Sequence, residues 1–279
     1  KIILSRSSAG RYFTMPVLFR KLQILKRYKT MAIFKSGNPA LNVFQNTISI
    51  PGEVSMTERG TLNKFFLLFL LVMACASLTW KAFYDGVNVM PYAMGAAILG
   101  FIVAMVVIFK KQWAAYLTPV YGLLEGVFVG GISAVYNHVF EKTAPGIVTQ
   151  AVLLTFGAVI AMFLLYRFRI IQATEKFRSV IFIATAGIAI FYVLSIVLRL
   201  FGIDIAFIHE GSTLGIAFSL FVVAIAALNL ILDFDMIEKG VAAGSPKYME
   251  WYGAFGLLVT IVWLYLEILR LLAKLSSRR

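Results

Sequence analysis

The sequence predicts an all-α membrane protein built as a seven-transmembrane-helix bundle, and three observations carry that reading. Of 279 residues, 61% are hydrophobic and only 14% are charged, with a mean hydropathy of +0.87. A soluble domain has roughly 25% charged residues, so this chain has too little polar surface to stay dissolved once folded. The apolar residues also fall into seven long runs, each near the ~20 residues that cross ~30 Å of hydrocarbon. Finally, the basic residues collect at the ends of those runs, where cations anchor helices at lipid headgroups.

Residues 1–30 differ from the rest, with eight basic residues and no acid. Two readings compete for this stretch, an organelle transit peptide and sequence translated ahead of a start at Met31; the second is favoured. Residues 31–63, with Gly37, Asn38, Pro39, Pro51 and Gly52, read as a polar, turn-rich N-terminal segment. The transmembrane domain is expected over 64–275, followed by a basic tail at 276–279. Its first run covers Phe65–Tyr84. The second, Pro91–Phe109, opens on a proline at a helix N-terminus, where the missing N–H is harmless. The third spans Trp113–Tyr136, and the fourth Ile147–Tyr166 after Pro145-Gly146. The fifth, sixth and seventh are Val180–Phe201, Leu214–Ile237 and Tyr252–Leu272. The connecting loops are short, so successive helices are antiparallel neighbours and no soluble domain fits between them.

Counting Lys and Arg on alternate sides gives an orientation. Eleven precede the first run; Lys110, Lys111, Arg167, Arg169, Lys176, Arg178, Lys239 and Lys247 share that side. The opposite loops hold Lys81, Lys142 and Arg199. The rule puts the N-terminus in the cytoplasm. Arg270, Lys274, Arg278 and Arg279 break it if the seventh run crosses fully; a full crossing is preferred over a re-entrant helix.

The net charge of +13 suggests no nucleic-acid partner, because the interior of the chain has no basic helix interleaved with aromatics. The lone Cys75 makes no intrachain disulfide, and His138 and His209, both expected in loops, offer no His-rich metal site. Zinc, nucleophile-elbow and phosphate-loop motifs are missing from the sequence, and Asp233 and Asp235 share one run, unlike the paired aspartates of an intramembrane protease. No enzyme activity and no cofactor are expected.

The informative residues are the ionisable ones placed at membrane depth, where a charge costs at least ~2.5–3.5 kcal/mol on insertion scales. Glu125 lies mid-run among Gly122, Gly126 and Gly130, a four-residue repeat of small side chains that brings helix backbones together. The repeat argues packing; Glu125 itself is open to a structural or a functional reading. Asp233 follows Asn229 by one turn, so both project from one face. Asp235 is about 200° round the helix from Asp233, so one points inward and the other reaches the boundary near Glu238 and Lys239. On the seventh run Thr260, Trp263, Glu267 and Arg270 form a stripe. Glu267 reads first as an interfacial pair with Arg270, whereas the depth of Asp233 and its Asn229 neighbour favour a functional role.

A carboxyl group moved into low dielectric keeps its proton to higher pH, more so beside a second one. Protonated, it donates a hydrogen bond across a helix interface; ionised, it attracts a cation, and oxygen ligands of this kind suit Ca²⁺. Together these suggest a pH-gated cation path.

The sixth run, ending Ala227-Leu228-Asn229-Leu230-Ile231-Leu232-Asp233-Phe234-Asp235-Met236-Ile237-Glu238, resembles the Bax inhibitor-1 (transmembrane BAX inhibitor motif) family of multi-pass proteins. So does the seventh, from Glu250-Trp251-Tyr252-Gly253 to Leu264-Tyr265-Leu266-Glu267-Ile268-Leu269-Arg270. The resemblance covers roughly residues 60–275 and is nearest a bacterial branch. It implies a bundle whose last helix is central, surrounded by the other six. It implies a pH-sensitive calcium leak, gated by an aspartate on the sixth helix bonded to one on the seventh. The first aspartate carries over onto Asp233. The second does not, because the matching stretch reads Leu258-Val259-Thr260-Ile261. Thr260 still offers one hydrogen bond, and Glu125 and Glu267 become candidates for the second carboxyl. The expected partners are therefore the lipid bilayer and Ca²⁺ or another cation, the ion as cargo, with the chain in a bacterial inner membrane or, in a eukaryote, an ER-type membrane. An alternative reading is a membrane-embedded regulator that docks on a protease or stress-response partner through residues 31–63; a third is proton-coupled transport of a small solute.

Overall fold

The structure, a computed structural model, describes residues 55–202 and 212–278. The leader 1–30, residues 31–54 of the N-terminal segment, His209 and Arg279 lie outside the described residues. Seven helices among those described are long and apolar enough to cross a bilayer. They are α1 (Glu58–Tyr84), α2 (Met90–Phe109), α3 (Ala114–Val139), α4 (Ile147–Arg167), α5 (Glu175–Leu200), α6 (Thr213–Ala242) and α7 (Met249–Ser276), with one 3₁₀ turn, Lys111–Trp113, ahead of α3. At 1.5 Å per residue they run from about 30 to about 45 Å.

Most helices are longer than the apolar runs that announce them, because hydrocarbon thickness sets the run while capping sets the ends. Thr57, Thr174 and Ser212 each accept a hydrogen bond from a first-turn N–H, the ordinary N-cap arrangement. Residues 58–63, expected within the polar N-terminal segment, are therefore the first turns of α1. His138, expected in a loop, lies in the last turn of α3 with its ring against Phe83. Gly146 precedes α4 with φ at +73°, a left-handed conformation that suits a residue without Cβ.

The outer surface is paved with apolar side chains, among them Phe101, Leu153, Phe182 and Ile183, each more than 65% exposed. In water such a surface would drive aggregation; against lipid tails it is neutral. The core lies around α7, where 56% of the most apolar window is buried, against 11% in α5. α7 packs directly on α1, α3, α4 and α6. The six surrounding helices are thus uneven: α2 packs chiefly on α3, and α5 on α6. α7 is also one unbroken 28-residue helix.

Lipid tails are as apolar as leucine, so helices associate here through close packing and polar contacts. The glycine repeat of α3 supplies the first. A Cβ on Gly126 would lie 2.6 Å from the Val72 carbonyl, and one on Gly130 2.5 Å from that of Ala76. Both obstacles are α1 backbone, so neither can swing aside. Glu250, fully buried at the start of α7, supplies the second. It accepts hydrogen bonds from the Thr57 amide and hydroxyl, both 2.9 Å, and from Lys247 at 2.7 Å, and pairs with Lys64 of α1. Beside it the Met56 amide donates to the Ser245 carbonyl at 2.7 Å. The entry to α1 is therefore tied to the turn between α6 and α7.

Gly130→Ala is expected to destabilise the protein by about 1–3 kcal/mol, the range for overpacking, seen as a lowered melting temperature in detergent. An unchanged melt would contradict the close α1–α3 contact. Glu250→Ala, which strands Lys64 and the Thr57 donors, should cost about 3–5 kcal/mol by the same measurement.

Candidate functional site

The candidate site lies where α6 crosses α7. The two helices meet through a turn of a few residues, and from Met249 it is about 16 Å along α7 to Thr260 at 1.5 Å per residue. Asp233 comes to the same depth from the other side, about 14 Å before the end of α6. The Thr260 hydroxyl lies beside the Asp233 carboxyl, near enough to act on its charge. Its Oδ1 also faces Gly256, one turn before Thr260, 3.5 Å from where a Cβ would stand. Asp233 Oδ2 is buried and has no hydrogen-bond partner. Tyr252, two turns before Thr260, is close enough to feel the Asp233 charge.

Among the described residues, three buried side-chain atoms have no hydrogen-bond partner: Thr118 Oγ1, Ser245 Oγ and Asp233 Oδ2. Only the last belongs to an ionisable group. A buried charge needs a partner far more than a hydroxyl does, so this oxygen calls for a proton or a cation.

The other sequence candidates go elsewhere. Asn229, one turn before Asp233, turns its amide to Thr185 of α5 at 2.8 Å and to the Ile225 carbonyl at 2.9 Å. A shared helix face thus did not make Asn229 and Asp233 a pair. Asp235 points to the opposite side, where it is buried, pairs with Arg178 of α5, and lies 3.1 Å from Lys239. Glu125 lies beside Tyr121 of its own helix and faces Gly100 of α2. Glu267, only 1% exposed, pairs with Arg270 at 2.8 Å and accepts from the Tyr192 hydroxyl of α5 at 3.0 Å. Neither Glu125 nor Glu267 bonds to Asp233. The group opposite Asp233 is Thr260.

Sequence reasoning missed several structural partners. Glu238 of α6 accepts from Tyr166 of α4 and pairs with Arg169, just past α4, at 2.5 Å. That contact holds the Arg169 proton more firmly than in a free guanidinium. Arg169 and Arg178, which in the sequence serve as cations that orient the chain, also fasten helices to α6. Among the described residues no cluster of three or more His, Cys, Asp or Glu side chains is placed to hold a metal ion.

With this geometry in view, comparison with protein families is decisive: the Bax inhibitor 1 like family matches residues 16–277. The chain belongs to the Bax inhibitor 1 like family. Comparison with curated proteins and with solved structures found no match. In this Bax inhibitor 1 like chain, the sixth-helix aspartate faces a threonine hydroxyl on the seventh helix, and Leu258–Ile261 contains no acid.

The Glu267–Arg270 pair can be tested apart from any transport. Glu267→Leu alone should destabilise the protein by about 1–3 kcal/mol by leaving a guanidinium unpaired. The Glu267→Leu/Arg270→Leu double variant should regain most of that loss, since replacing both partners by apolar groups is often neutral. Equal melts for single and double variants would show that the pair contributes nothing.

Proposed function

We propose that this protein is a calcium-permeable leak whose opening depends on the protonation state of Asp233, the deprotonated form being the open one. The observation that carries the reading is the buried, unpartnered Oδ2 of Asp233 at the α6–α7 crossing. No described Lys or Arg is paired with Asp233, unlike Asp235, Glu238, Glu250 and Glu267, each of which has a basic partner. Protonated, the carboxyl is a neutral group that sits against Thr260 and Gly256 and keeps the crossing closed. Ionised, it is a lone negative charge in the bundle and an oxygen ligand of the hard kind that Ca²⁺ prefers. Opening therefore follows loss of the proton, and flux rises with pH.

Thr260 keeps that response to the width of a single titration. A second carboxyl would couple two titrations, each ionisation opposing the other, whereas a hydroxyl leaves a single titrating group. The calcium reading draws on the resemblance to the Bax inhibitor 1 like family, whereas no observation among the described residues favours the docking regulator, whose segment 31–63 falls mostly outside them.

The test is calcium flux into liposomes holding a calcium dye and the full-length chain, read across mildly acidic to mildly alkaline pH. Wild-type flux is expected to rise with pH, and Asp233→Asn to remove that dependence. Flux no greater than in empty liposomes, or an unchanged pH profile in the variant, rules the proposal out. Thr260→Asp is expected to broaden the pH response by adding a second titrating group; a profile identical to wild type would argue that Thr260 does not face the gate.

A further inference from the structure

At the end of the bundle where α3, α5 and α7 finish, the helices enclose a partly open cavity of about 560 Å³. Its walls include Tyr136 of α3, Tyr192 and Arg199 of α5, and Arg270 and Lys274 of α7. The described lining residues include three cations and no carboxylate. Glu267, which pairs with Arg270, answers one of those charges from behind the wall.

Lys274 is the informative residue. It is 4% exposed, yet its ammonium donates to neutral acceptors, the Gly215 carbonyl at 3.0 Å and the Ser219 hydroxyl at 2.7 Å. Long helical side chains lean toward their helix N-terminus, which turns this ammonium back into the bundle. Its place in the last turn of α7 would by itself suit a cation that offsets the negative end of the helix dipole. Its direction does the reverse. Gly215 lies in the first turn of α6, where the dipole is already positive. Lys274, whose ammonium thus has no anionic partner among the described residues, and Arg270, whose side chain is 36% exposed, line one wall of the cavity.

We propose that this cavity binds a phosphate-bearing anion, held by Lys274 and Arg270. The lysine offers a compact charge, and the guanidinium a planar fork suited to phosphate oxygens. The volume lies within the usual ~300–1,000 Å³ of small-ligand sites. The cavity sits at the helix ends, the level of lipid headgroups, so the phosphate comes either from an anionic phospholipid or from free inorganic phosphate. The site does not depend on the calcium proposal, because it lies two turns and more beyond Thr260 and uses different residues.

The experiment uses the full-length chain purified in neutral detergent. Phosphatidylglycerol binding is read by native mass spectrometry with phosphatidylcholine as the neutral control, and inorganic phosphate binding by calorimetry. Saturable binding of at least one anion is expected. Lys274→Gln, which keeps a donor for Ser219 but removes the charge, should weaken it at least about tenfold, the loss of one charge-assisted hydrogen bond. Lys81→Gln removes an exposed cation at the same end of the bundle and should leave binding unchanged. Ser277→Glu places a carboxylate on the exposed rim and should weaken binding without touching the core, so it stands in if Lys274→Gln does not fold. Binding of phosphatidylglycerol alone assigns the site to a lipid headgroup; binding of phosphate alone assigns it to a free anion. No binding of either, or equal binding in the wild type and both cavity variants, overturns the proposal.

Discussion

Hydrocarbon offers no water to hydrogen-bond, so every polar group on the central helix must be answered by a neighbouring helix. That constraint organises the structure. Along α7, Glu250 is answered by the Thr57 cap and Lys64 of α1. Thr260 is answered by Asp233 of α6, Tyr265 by Ser133 of α3 at 2.6 Å, Glu267 by Tyr192 of α5, and Lys274 by Ser219 of α6. Four helices are thereby registered against α7 at defined depths, which apolar packing against lipid-like side chains could not do alone. The same constraint makes one unanswered oxygen, Asp233 Oδ2, stand out.

α5 shows the constraint from outside. Only Ile181 and Ile188 are buried along its 26 residues, so apolar burial holds it weakly. Three polar contacts attach it instead: Arg178 to Asp235, Thr185 to Asn229, and Tyr192 to Glu267 and Arg270. An element with few buried apolar contacts belongs to the less stable part of a fold. α5 flanks the side of α6 that carries Asn229 and Asp235, whereas Asp233 turns to α7. The site thus lies between a well-packed central helix and a helix whose outer neighbour is held chiefly by side-chain bonds.

How much of this could be read from the sequence follows from the same physics. The seven crossings were legible because bilayer thickness fixes the length of an apolar run. Their ends were not, because Thr57 caps a helix that begins in polar sequence, at Glu58, ahead of the apolar run. Gly126 and Gly130 were legible as a packing face, since their spacing is local. Glu250 was not: its partner Lys64 is 186 positions away, and no local pattern joins them. Arg178 and Arg169 carried a topological signal that concealed their pairing with Asp235 and Glu238. Asn229 and Asp233 shared a face by spacing, but spacing does not choose rotamers, and one side chain turned to α5 while the other turned to α7. The position of Asp233 was accessible because an acid at that depth is rare in any membrane helix. The residue opposite was harder to read: the resemblance implies an aspartate that this sequence lacks, and Thr260, Glu125 and Glu267 were all open. Of these the structure places Thr260 beside the carboxyl, while the glutamates turn to Tyr121 and Arg270.

The central claim is that Asp233 exchanges a proton inside the bundle, and infrared difference spectroscopy of the reconstituted protein addresses it most directly. The account predicts a protonated-carboxyl stretch that disappears as pH is raised across the range where flux changes, and that is missing from Asp233→Asn. The same pH-dependent spectrum in wild type and variant would contradict it.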